Sequence, residues 1–175
     1  ESNNAFNQAL NNWNTSNVIN TSSMFLNATN FNQNLANWNT SNVTDMSSMF
    51  KNISFNNPIN YDSANNYWNT INVTSMQSMF ESNNAFNQAL NNWNTSNVTD
   101  MSNMFLGRSS NKNKFNQPIN NWNTSNVTDM SSMFSFSRFN QVIEDWNVSN
   151  VNNMHRMFQG PSFSSGRARN PFNQD

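Results

Sequence analysis

Apolar residues along this chain fall on a fixed grid. Trp stands at 13, 38, 68, 93, 122 and 146, with spacings of 25, 30, 25, 29 and 24 residues. Five residues after each Trp comes Val (18, 43, 73, 98, 127 and 151), and twelve after it comes Phe (25, 50, 80, 105, 134 and 158). Met precedes that Phe in every copy, and in five copies a second Met lies three residues earlier; the two columns hold all 11 Met of the chain. Upstream of each Trp lies a further Phe (6, 31, 55, 86, 115 and 139) that opens a Phe-Asn-Gln type segment. Self-similarity at this period marks an array of stacked repeats.

Within one unit the pattern predicts two elements. Leu35, Trp38 and Thr40 are apolar or β-branched, and the last two alternate as a strand requires. Val148 takes the place of Thr40 in the sixth copy, which suits an inward β-branched position. Val43, Met46, Met49 and Phe50 follow helical spacing and predict a helix of about two turns. Thr44 is placed to cap it, and Asp45 falls in its first turn near the positive dipole end. The fold class expected is therefore α/β, a right-handed solenoid. Each of six coils contributes one short parallel strand and one short helix, over roughly 29 Å in all.

The array is read as one unit over 1–175, with coils at about 6–30, 31–54, 55–85, 86–114, 115–138 and 139–171. Glu1 falls in mid-pattern and Phe172-Asn173-Gln174 starts another repeat, so the chain is expected to be a fragment of a longer array. Two stretches break the period. The third copy inserts residues 61–66 and follows them with Tyr67; Tyr61 and Tyr67 are the only 2 Tyr. The fourth copy extends from Leu106 to Lys114 and carries Arg108, Lys112 and Lys114. Insertions that spare the apolar columns are expected as surface loops. Residues 1–18 and 81–98 are identical, which points to recent duplication of repeat units.

Composition then narrows the chemistry. Net charge is -1 and charged residues make up 10%, so nothing offers the basic surface that nucleic acid requires. About a quarter of the residues are Asn, and solubility rests on amides and hydroxyls. The even spacing of aromatics argues against a disordered Asn-rich segment. Cysteine is absent, which removes any disulfide framework, and no apolar run approaches the length of a membrane span. With 3 Gly there is no phosphate loop, and the single His155 stands where other copies carry Ser, Asn or Gln. Asp45, Asp100 and Asp129 recur at one position but lack the second acid of a calcium site. No catalytic, cofactor or metal residues are assigned, and no enzymatic activity is expected. The Asn after each Trp and the Asn before each Val are expected to satisfy backbone groups at turns and to bond to one another along the axis.

The run from Trp38 through Asn39-Thr40-Ser41-Asn42-Val43-Thr44-Asp45-Met46-Ser47-Ser48-Met49 to Phe50 resembles the bacterial surface-protein repeat of about 26 residues. That repeat belongs to the BspA-like branch of leucine-rich-repeat proteins, common in mycoplasma-type lipoproteins. The likeness recurs in all six copies, with Thr21, Ile71 and Val148 as departures. It implies a cell-surface or extracellular location, an anchor outside this segment, and a role in adhesion or host contact.

The function expected is a non-enzymatic recognition module for a host or neighbouring-cell surface protein or glycan. The alternative is a spacer or antigenically variable shield without a specific ligand. End-to-end self-association is a further expectation, because terminal coils present unpaired backbone. Partner binding is assigned to what breaks the repeat: Tyr61 and Tyr67 first, then Arg108, Lys112 and Lys114.

Overall fold

A computed structural model describes residues 4–60, 62, 64 and 67–160. Successive repeats lie side by side in chain order. Parallel bridges link Asn20 to Asp45, Asp45 to Ser75, Ser75 to Asp100, Asp100 to Asp129 and Asp129 to Asn153. The repeats are built from turns. Among the described residues there is no helix, and strand pairing is confined to isolated bridges. The expected α/β solenoid, with a strand and a helix in each coil, is thus overturned, and so are the roles given to Thr40, Thr44 and Asp45 within it.

The segment expected to be helical shows why. The N–H groups of Met46, Ser48, Phe50 and Asn52 donate to the carbonyls of Ser75, Gln77, Met79 and Glu81 in the next repeat, at 2.8–3.1 Å. Those of Met49 and Lys51 close turns on Met46 and Ser48, at 3.3 and 3.2 Å. A helix would return every N–H to the residue four back in the same segment. A lone two-turn helix is marginal in water, whereas the neighbouring repeat supplies a full row of acceptors. Apolar residues three apart face inward in consecutive turns as well as in a helix, so the spacing of 43, 46 and 49 fits both. Ser48 has φ 56°, as the third residue of a type II turn requires and as no right-handed helix allows. Its counterparts Ser23, Ser78, Asn103, Ser132 and Arg156 share this conformation.

This difference is testable. Ser48→Gly removes the Cβ penalty of a left-handed residue and is expected to stabilise the protein by about 0.5–1 kcal/mol, where a helix interior would lose a similar amount. Urea unfolding of the two proteins gives the sign.

The expected strand at 35–40 is likewise a pair of turns. The Trp38 N–H closes on the Leu35 carbonyl at 3.0 Å and the Val43 N–H on Thr40 at 2.9 Å. Thr40 is buried because its hydroxyl donates to the Asn69 carbonyl of the next repeat, at 2.9 Å. Thr15, Thr70, Thr95 and Thr124 do the same. Val148, expected to face inward, is 45% exposed. Thr44 caps nothing: its N–H and hydroxyl both donate to the Ile19 carbonyl of the preceding repeat.

The core consists of ring columns. Phe25, Phe50, Phe80, Phe105, Phe134 and Phe158 stack at 5.6–5.8 Å between centroids. The Phe31, Phe55, Phe86, Phe115 and Phe139 rings lie against that column at 4.0–4.3 Å. Trp38, Trp68, Trp93, Trp122 and Trp146 are buried, and each indole N–H donates to a carbonyl of the preceding repeat at 2.8–3.0 Å. Satisfying the one polar atom of the ring is what makes Trp tolerable at this depth.

Candidate recognition surface

The polar columns have definite destinations. The Asn after each Trp forms a local turn: Oδ1 of Asn14, Asn39, Asn69, Asn94, Asn123 and Asn147 accepts from the N–H two residues on, at 3.0–3.1 Å. The Asn before each Val reaches back: Nδ2 of Asn42, Asn72, Asn97, Asn126 and Asn150 donates at 2.7 Å to a carbonyl of the preceding repeat. A third column escaped the sequence reading. In the Phe-Asn-Gln segments, Oδ1 of Asn7, Asn32, Asn56, Asn87 and Asn116 accepts the N–H of the equivalent Asn in the next repeat, at 2.8–3.0 Å. Its signal was present in the invariant Asn after that Phe.

Asp45, Asp100 and Asp129 occupy the bridging column, and Oδ1 of each accepts from the N–H two residues on, at 2.7–2.8 Å. Burial alone would raise the pKa of Asp129. Hydrogen bonds from the Ser131 hydroxyl and N–H and from the Asn153 amide outweigh it and hold the carboxyl below its ordinary value. A depressed folded pKa adds stability that is present above the ordinary value and is lost as pH falls through the folded one. Acid titration of Asp129→Asn is therefore expected to show a shallower loss of stability on the acid side than the parent. Equal slopes would remove Asp129 as a contributor.

The residues assigned to partner binding are not brought together. Tyr61 lies outside the described residues. Tyr67 is half-buried against the core, and its backbone pairs antiparallel with Asp62, the Asp62 N–H donating to the Tyr67 carbonyl at 3.1 Å. The Tyr67 side chain joins Trp13, Asn37 and Asn39 along one groove of about 390 Å³. Arg108 folds back over two earlier repeats, donating to Ser82 Oγ at 3.0 Å and Asn52 Oδ1 at 2.9 Å. It edges a separate cleft with Asn84 and Asn111. Lys112 and Lys114 are exposed on the same loop. The basic loop is pinned at Asn113, which is buried and donates through Nδ2 to the Phe80 carbonyl at 2.8 Å. His155 is exposed, its N–H held by Asn153 Oδ1. No helix among the described residues is long and apolar enough to cross a membrane.

This arrangement defines a repeat protein in which each unit is bonded to the next through recurring amides, hydroxyls and rings. The family described as Mycoplasma protein of unknown function, DUF285, matches residues 1–67 and 60–168, and the chain belongs to it. Comparison with curated proteins and with solved structures gives no match.

Proposed function

We propose that this chain is a non-enzymatic recognition module on a bacterial cell surface, of the BspA-like kind, serving adhesion to a host or neighbouring-cell partner. One observation carries the reading. The invariant side chains of the repeat are consumed in holding one unit to the next, so specificity falls to the outward amides and to what breaks the period. Tyr67 combines a large ring with a polar tip on an accessible groove, the composition interfaces favour. The Arg108 loop adds a second, cationic site suited to acidic or sulfated groups.

The test is a screen of the folded chain against host-protein and glycan arrays, repeated with residues 61–66 deleted and Tyr67→Asn. Loss of binding with unchanged thermal unfolding supports the Tyr site, and unchanged affinity removes it. A chain that binds nothing on either array is a spacer or shield, the reading favoured by the identity of 1–18 and 81–98.

A further inference from the structure

Two grooves on this molecule are built at the same register. One lies between the fourth and fifth repeats and is lined by Asn91, Asn92, Trp93, Asn94, Asn121 and Asn123, with a volume of about 540 Å³. The other lies between the first and second, lined by the equivalent Asn11, Asn12, Trp13, Asn14, Asn37 and Asn39, and extended by Tyr67. Their first walls belong to the two segments of identical sequence, 1–18 and 81–98. The groove at Asn91 sits between repeats that have neighbours on both sides.

The lining carries no formal charge in either groove. It is composed of amides above a Trp whose own N–H is already used in the fourth repeat. The Asn91 amide donates to Asn92 Oδ1 and accepts from Asn60, and Asn121 Nδ2 donates to the Asn91 carbonyl, which leaves Asn92 Nδ2 and Asn121 Oδ1 open among the described residues. The local turns commit Oδ1 of Asn94 and Asn123 to backbone N–H groups. Their Nδ2 groups make no hydrogen bond among the described residues, which leaves one outward donor per repeat along the groove. Charged peptides and phosphates would find no counter-charge here, and an apolar peptide would find no exposed anchor beside Asn91, since Trp93 is only 3% exposed. Hydroxyl groups match such a surface, because they bond to amides in both directions. In the first groove Tyr67 adds an aromatic residue to the lining.

We infer that the two grooves bind a neutral oligosaccharide, and that a polysaccharide chain engages both at once. The grooves are three repeats apart, roughly 14 Å at strand spacing, a separation that a few sugar units span. This inference rests on the recognition reading above and names its ligand class.

The experiment uses the full chain with immobilised mannan, dextran and galactan, and with heparin and sialylated glycans as charged comparators. Asn12→Glu and Asn92→Glu each place a charge in one groove at an exposed position, with thermal unfolding as the folding control. The parent is expected to bind at least one neutral polymer. Each single variant is expected to lose about 100-fold or more in apparent affinity, as loss of two-point attachment predicts, and the double variant to lose binding altogether. Neutral-polymer binding that survives in the double variant overturns the grooves as the site. Binding confined to heparin or sialylated glycans overturns the ligand class while leaving the recognition reading standing. A chain that binds none of these polymers also overturns the ligand class, and the recognition reading falls with it only if the host-protein array is blank as well.

Discussion

Trp93→Ala is expected to lower the stability of the chain by about 3–5 kcal/mol, the range for removing a large aromatic ring from a packed interior. Trp93 is buried, stacks on Trp68 at 6.3 Å, and leans on Phe80 at 6.4 Å. Its indole donates to the Ile59 carbonyl at 2.9 Å, so removing it also leaves a buried acceptor without a partner. Trp93→Phe separates the two contributions: it keeps most of the ring packing and loses the donor, and about 1–3 kcal/mol of the loss should remain. Trp13→Ala is the internal control. Trp13 is 55% exposed, and its replacement should cost under about 1 kcal/mol. Backbone bonds between repeats join immediate neighbours, so the comparison is best read from unfolding midpoints in denaturant, with probes on both sides of the substitution. Equal midpoints for the Trp93 and Trp13 variants would refute the ladder of buried indoles.

Gly107→Ala is expected to cost at least about 2–3 kcal/mol, although it adds a single methyl group. A Cβ at this position would lie 2.1 Å from the Phe136 carbonyl oxygen and 2.5 Å from the Asn113 nitrogen. Both are backbone atoms bonded to each other at 3.2 Å, so neither can yield without breaking the pairing that closes the basic loop. The equivalent residues Asn27, Asn52, Ser82 and Phe136 have positive φ and carry side chains. Gly107 is needed for a different reason, which is space: the chain leaves the stack here and returns at Asn113 against the next repeat. Gly160→Ala, where no described residue lies within 4 Å, should be neutral within about 0.5 kcal/mol. Thermal unfolding of the two variants side by side decides the point, and a Gly107 variant as stable as the Gly160 variant would contradict it.

How much of this was legible beforehand differs from residue to residue. The register of the array and the identity of the core columns follow from the sequence, because apolar side chains at a constant offset from Trp have no reason to recur unless they pack on their own copies. The departures at 61–66 and 106–114 are equally plain, as are the low charge and the amide-rich surface. The turns were not legible. Val43, Met46 and Met49 recur at a spacing that a helix and a succession of turns satisfy alike, and propensity cannot separate the two over so short a stretch. What separates them is the destination of the backbone N–H groups. That depends on a neighbouring repeat about 5 Å away offering carbonyls in register, a fact of tertiary structure. The next repeat takes the Thr40 hydroxyl as a donor, and the preceding one draws the Thr44 hydroxyl back toward Ile19.

The candidate site divides in the same way. Sequence singled out Tyr67 and Arg108 because they break the period. Only the folded chain sets Tyr67 beside Asn37 and Asn39, turns Arg108 back onto Asn52 and Ser82, and opens two like grooves three repeats apart. Local sequence determined which apolar side chains are repeated and therefore which form the core. The stacking of one repeat on the next decided how the backbone between them is bonded, because a hydrogen bond needs its partner in place before a conformation can be preferred.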